Sequence, residues 1–263
     1  MYLDCYVDES GTHDSTGAKP GAETGIFGGI IAPRGEWAQF SFDWQAALNK
    51  YKVEYFHYYE WNEALQIARG NKEPNSKFEK NPFRDLDLNG LQNMLVELAK
   101  IAGSGNKVIV GGGVYTLLFQ QAKSAGAITS NLNPYELAAR EFFSSVPEII
   151  ALQKSPWKRM PITFFFEGTD DAELRNSVLS QHNFCGKKHS TFREISFCKS
   201  GFPDKLPLQA ADMVVYRMRQ LTSIVQKNKS PGQFPESDTH LFRSVWDHCE
   251  KQNKKRIRTQ RPR

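Results

Sequence analysis

Four acidic residues stand out by their surroundings. Asp8 closes the run Tyr2-Leu-Asp-Cys-Tyr-Val-Asp8-Glu9-Ser10-Gly11. Glu60 follows VEYFHY (53–58), and Glu167 follows the all-apolar PITFFF (161–166). Asp212 lies in Leu206-Pro-Leu-Gln-Ala-Ala-Asp-Met-Val-Val-Tyr216, among Ala210, Ala211, Met213, Val214 and Val215. Each stands beside an apolar flank that ought to be buried. A lone buried carboxylate costs roughly several kcal/mol unless it is paired or bound to metal. Several converging carboxylates repel one another, and a divalent cation relieves that repulsion. Ligation by oxygen alone, with some water retained, favours Mg²⁺ or Mn²⁺ over zinc.

Local sequence leaves alternatives open. Asp8-Glu9-Ser10-Gly11 also reads as a solvated turn, because Asp and Glu are poor strand formers and Ser-Gly favours turns. Glu9, Asp170 and Asp171 are rival ligands. His57 is of a side-chain type suited to orienting water or shuttling a proton. It reads equally as a hydrogen-bonded histidine beside Tyr55 and Tyr58. Gln209, Ser10 and Ser200 are placed to hydrogen-bond a ligand carboxylate. The triple glycine Gly111-Gly112-Gly113 lacks phosphate-loop spacing, so a bulge or a close backbone approach explains it.

Alternating strands and helices must position these residues. The apolar runs predict strands over the first ten residues and over 25–33, paired as a hairpin, then over 53–58, 108–110 and 161–166. An alternating run predicts an edge strand over 192–198. Helical periodicity and end signals predict helices over 35–51, 60–69 (ending at Gly70), 86–103 and 134–153, the last opened by Pro134. Further helices are predicted over 171–182, 206–226 and 238–253. Residues 70–85 are polar and Pro-bearing, an insertion loop. The interleaving predicts an α/β fold with a central mixed sheet flanked by helices.

Composition bounds the function. The chain has 263 residues, 40% of them hydrophobic and 24% charged, with 18 Phe and 9 Tyr, which suits a packed globular protein rather than a disordered one. Residues 1–250 are expected to form one domain. No stretch approaches the roughly 20 apolar residues of a membrane span. The strand-like start predicts that there is no signal peptide. Cys5, Cys185, Cys198 and Cys249 form no CxxC pair, so reduced thiols and a cytoplasmic location are expected. Seven of the 34 Lys and Arg fall in residues 251–263, which hold no acid, so the body carries 27 bases against 29 acids. The body is therefore no basic clamp. The tail 251–263 reads either as a phosphate-seeking arm or as a disordered, solubilising end.

Taken in chain order, the motifs resemble a known family. Tyr6-Val-Asp8-Glu9-Ser10-Gly11, Tyr55-Phe56-His57-Tyr-Tyr-Glu60, Phe166-Glu167-Gly168-Thr-Asp170, Ser200 and Leu208-Gln209-Ala-Ala-Asp212-Met-Val-Val-Tyr216 look like domain of unknown function 3800. That family is similar to the ribonuclease H-like superfamily, whose members set a carboxylate quartet on a mixed sheet and cleave phosphodiesters with two metal ions. The resemblance implies a ribonuclease H-like fold and metal ligands Asp8, Glu60, Glu167 and Asp212, with His57 assisting. It also implies a nucleic-acid substrate and two Mg²⁺ or Mn²⁺ ions roughly 4 Å apart. Glu stands at 60 and 167 where relatives carry Asp in places, which alters reach. The alternative is a non-catalytic nucleic-acid-binding or regulatory protein of the same fold. The near-neutral body also leaves room for a protein partner that delivers the substrate.

Two other chemistries have less support. His182, Cys185, His189 and Cys198 offer zinc-type ligands without standard spacing. Nucleophilic catalysis lacks a GxSxG motif or an activated cysteine.

Overall fold

A computed structural model provides the fold and describes residues 1–11, 24–126, 132–152, 156–168, 171–198 and 205–228. Five strands form one mixed sheet: β1 (Leu3–Ser10), β2 (Thr24–Pro33), β3 (Val108–Tyr115), β4 (Ile162–Glu167) and β5 (Phe192–Cys198). Their order is β3-β2-β1-β4-β5. The first three are joined antiparallel, while β4 runs parallel to both β1 and β5. The helices are α1 (Glu36–Lys50), α2 (Tyr58–Ala68), α3 (Leu88–Ala102), α4 (Thr116–Ser124), α5 (Pro134–Leu152), α6 (Ala172–Gly186) and α7 (Lys205–Asn228). The α/β class with a helix-flanked mixed sheet is as expected.

The chain groups into two compact units. Met1–Trp37 and Val108–Lys229 form the sheet unit, and the described part of the other is Ala38–Lys107, which is helical. The insertion loop at 70–85 is mostly exposed, but Asn81 and Phe83 near its end are buried. Asn81 holds that end in place. Its Nδ2 donates to the Glu60 carbonyl at 2.9 Å, and its Oδ1 accepts from the Phe83 N–H at 2.9 Å.

In the sheet unit, strand alternation sends side chains to two faces. Leu3, Cys5 and Val7 of β1 join Phe164 and Phe166 of β4 on one face. There they pack with Phe142, Phe143 and Val146 of α5 and Val178 of α6. These side chains are almost fully buried, so truncating Phe143 to alanine would cost about 3–5 kcal/mol. The opposite face carries Tyr6, stacked on Phe165 at 4.8 Å, and is covered in part by α7, which packs on β1 and β2. The triple glycine lies within β3 rather than after it, because the strand continues to Tyr115. A Cβ at Gly112 would collide with the backbone of Phe142, so α5 rests directly on the strand. The close-approach explanation of these glycines therefore holds.

Three local expectations change. The strand predicted at 53–58 does not form. Phe56 instead packs among Trp44, Tyr58, Trp61 and Phe83 in the helical unit, where no described strand offers a pairing edge. The carboxylates Asp8 and Glu9 do not end β1. They pair with Gly28 and Phe27 of β2, and the strand runs on to Ser10. A helix also forms at Thr116–Ser124, where none was expected. The helix predicted over 238–253 and the tail 251–263 lie outside the described residues.

Candidate active site

The site is built where the parallel pairing of β1 with β4 stops. Their parallel register sets Val7 beside Phe166, so one step further along both strands come Asp8 and Glu167. Val7 and Phe166 belong to the core packed under α5. Alternation therefore turns Asp8 and Glu167 to the α7 face and Glu9 to the α5 face. Asp212 comes from α7. The cross-strand partner of Asp8 is Gly28, and Val215 of α7 sits over that glycine. Asp212 is three residues before Val215, so it shares the sheet-facing side of the helix.

Electrostatics confirms that these acids share one neighbourhood. The Asp8 carboxyl is held well above the usual carboxylate range, first by burial and next by Asp212. Glu167 and Glu9 push the same way, against a hydrogen bond from the Glu9 backbone. Some of the Asp8 surface still meets solvent. Dense packing around the carboxyl group nevertheless desolvates it, and the neighbouring acids add to the shift. An adjoining cavity of about 360 Å³ is lined by Asp8, Glu9, Tyr135, Glu167 and Arg175 among others. Arg175, from the first turns of α6, has no carboxylate ion-paired to it among the described residues. On the α7 side, Arg219 Nη1 reaches Ser10 Oγ at 3.5 Å.

Glu9 has a different role from Asp8. Tyr135 of α5 donates its hydroxyl to Glu9 Oε2 at 2.5 Å, and burial with the Glu9 charge pushes the phenol pKa up. This pair stands between the Asp8 cavity and a second one of about 360 Å³ beside the starts of α5 and α6. Asp171 caps α6, its Oδ1 accepting from the N–H groups of Glu173 at 2.9 Å and Leu174 at 3.2 Å. A capping aspartate just before a helix is readable from sequence. The partner of Glu9, 126 positions away, is not.

Glu60 and His57 belong to the helical unit. His57 precedes α2 as its N-cap, with Nδ1 3.4 Å from Glu60 Oε2. That distance suits an ion pair more than a hydrogen bond, so the buried Oε2 lacks a hydrogen-bond partner among the described residues. Glu60 Oε1 accepts from the Tyr55 hydroxyl at 3.3 Å. Gln209 is half-buried on α7, while Asp170 and Ser200 fall outside the described residues.

Of the zinc-type residues, His182 and Cys185 are engaged elsewhere. His182 is buried on α6, stacked on Phe192 with ring centroids 5.5 Å apart. Cys185 is buried on the same helix, its Sγ 3.6 Å from Ser144 Oγ. Cys5 and Cys185 are free thiols.

The donor set of Asp8, Glu167 and Asp212 fits a hard divalent cation in atom type and charge. The buried, mutually repelling Asp8 carboxylate is the observation that calls for one. Among the described residues, no three acid, histidine or cysteine side chains close up into a finished ligand group. Ligation would therefore draw these side chains together.

Compared with known families and with curated proteins, the chain matches no family model and no curated protein. Fold and site together define an α/β protein with a mixed five-stranded sheet and acids gathered where its central strands end. No helix among the described residues is long and apolar enough to cross a membrane.

Proposed function

We propose that this chain is a metal-dependent phosphodiesterase, nuclease-like in action and ribonuclease H-like in fold, related to domain of unknown function 3800. The observation that carries this reading is the raised Asp8 carboxyl on the central strand, facing Asp212 and flanked by Glu167. Three acids from two parallel strands and a covering helix are kept together at an electrostatic cost that a purely structural site has no reason to bear.

Asp8, Glu167 and Asp212 would hold Mg²⁺ or Mn²⁺. Bound divalent ions supply a water of lowered pKa and charge stabilisation at the leaving oxygen. The three carboxylates contribute negative charge and orientation rather than protons. Arg175, in the same cavity, offers a planar guanidinium to a non-bridging phosphate oxygen. Tyr135 keeps Glu9 on the other face, out of the ligand set.

The test is cleavage of labelled DNA, RNA and hybrid strands in Mg²⁺ or Mn²⁺. Activity that disappears in both Asp8→Ala and Asp212→Ala supports the proposal, and activity that survives both overturns the site. Binding without product over hours supports the non-catalytic nucleic-acid-binding alternative instead.

A further inference from the structure

The far end of α6 carries a charged aromatic feature unconnected with the carboxylates. Phe184 is 41% exposed, a large ring to leave in water. The guanidinium carbon of Arg140, on α5, lies 4.1 Å from the ring centroid, and Lys188 Nζ lies 5.2 Å from it. Arg140 is fixed by a second contact, its Nε donating to Gln181 Oε1 at 2.9 Å. Among the described residues its Nη groups make no hydrogen bond. Lys187 and Lys188 are exposed. Among the described residues, no acid is ion-paired with Arg140, Lys187 or Lys188. Such pairing is absent although acids outnumber bases in the body of the chain.

We infer that Arg140, Phe184, Lys187 and Lys188 form a docking platform for a single-stranded nucleic acid whose other end enters the Asp8 cavity. The inference rests on the phosphodiesterase reading for its choice of partner. The cations suit phosphate oxygens, and an exposed aromatic flanked by a stacked guanidinium suits a base face. The same helix links platform and cavity, since Arg175 lines the cavity and Lys188 lies thirteen positions further along the chain. At about 1.5 Å per helical residue the separation is roughly 20 Å. A stacked strand covers that distance in about six nucleotides, at about 3.4 Å each.

The experiment measures binding of fluorescent single-stranded oligodeoxynucleotides, 4 to 12 nucleotides long, to the full chain in EDTA, where turnover is blocked. Wild-type affinity is expected to rise in a step once the strand exceeds about six nucleotides. In Arg140→Gln/Lys188→Gln the step disappears, and the 12-mer binds about tenfold more weakly. The slope of log affinity against log salt becomes shallower by about 1.4, the loss of two single-strand phosphate contacts. Lys188→Gln alone, a change at an exposed position, gives about half that slope change and guards against misfolding of the double variant. A step retained in the variants, or absent from wild type, overturns the platform. So does displacement of the 12-mer by a glutamate 12-mer as readily as by unlabelled strand, since that marks a surface for acidic peptides. Cleavage assayed in parallel separates the two readings. Stepwise binding without product sinks the phosphodiesterase and leaves the platform standing, whereas cleavage without the step does the reverse.

Discussion

Two aspartates four positions apart on β1 face the same side of the sheet and live in opposite surroundings. Asp4, 4% exposed, is gripped by Arg34. Nη2 donates to Oδ1 at 2.8 Å and Nε donates to Oδ2 at 2.9 Å, a two-pronged ion pair. Asp8, at the other end of the strand, faces Asp212 and lies beside Glu167. A carboxylate placed for stability comes with its counter-charge. One placed for chemistry is surrounded by its own kind and depends on something from outside to balance it.

The largest expected effect falls on Asp8. Asp8→Asn should lower phosphodiester cleavage on the order of 10³-fold or more while stabilising the metal-free fold. Removing a repelled buried charge is worth about 1–3 kcal/mol, a rise of roughly 2–4 °C in Tm for each kcal/mol. The pH dependence has a definite sign. Because the folded pKa of Asp8 is raised, its protonated form favours the folded state. That contribution is complete below the unfolded carboxylate pKa of about 3.9 and is lost as pH rises toward the folded value. Melting curves in EDTA across pH should show the loss in wild type and not in Asp8→Asn. Mn²⁺ should restore stability to wild type only, by about 2.7 kcal/mol at a hundred times its Kd.

Arg34→Ala should give the opposite pattern. Activity stays near wild type, and stability falls by about 1–3 kcal/mol because Asp4 is left buried without a partner. Equal loss of activity in the Arg34 and Asp8 variants would erase the contrast between the two ends of the strand.

Tyr135→Phe should cost less, about 1 kcal/mol, by leaving Glu9 without its hydroxyl donor. If Glu9 then turns toward Asp8, Mn²⁺ affinity changes as well, which isothermal titration would detect. The smallest effect concerns His182. Burial pushes its imidazole pKa down, so protonation favours the unfolded chain. Stability is complete above the unfolded pKa of about 6.5 and declines as pH falls through it toward the lower folded value. The decline should vanish in His182→Leu, measured by thermal unfolding between about pH 7 and 5.

What could be read from sequence follows physical reach. Apolar runs and end signals act over a few residues, so β2, β4, β5 and the helices closed by Gly70 and Gly103 or opened by Pro134 were legible. Asp8 beside Glu167 and Asp212 was legible as a set of acids with apolar flanks, though not as a geometry. The misread segment 53–58 has strand-like residues, but forming a strand requires a pairing edge, which is a property of the whole fold. Tyr135, Arg175 and Arg34 escaped notice for a similar reason. A tyrosine or arginine carries no local mark of the acid or cavity it will meet.

One feature of the sheet bears on how activity could be adjusted without altering any acid. A methyl group added at Gly28 would come within 3.0 Å of Met218 Sδ and 3.3 Å of the Val215 Cα and Cβ atoms. To accommodate it, α7 would lift by a few tenths of an ångström and carry Asp212 away from Asp8. Gly28 thus acts as a spacer of fixed thickness. Descendants of this chain could detune the site by changing that thickness, with every carboxylate still in place.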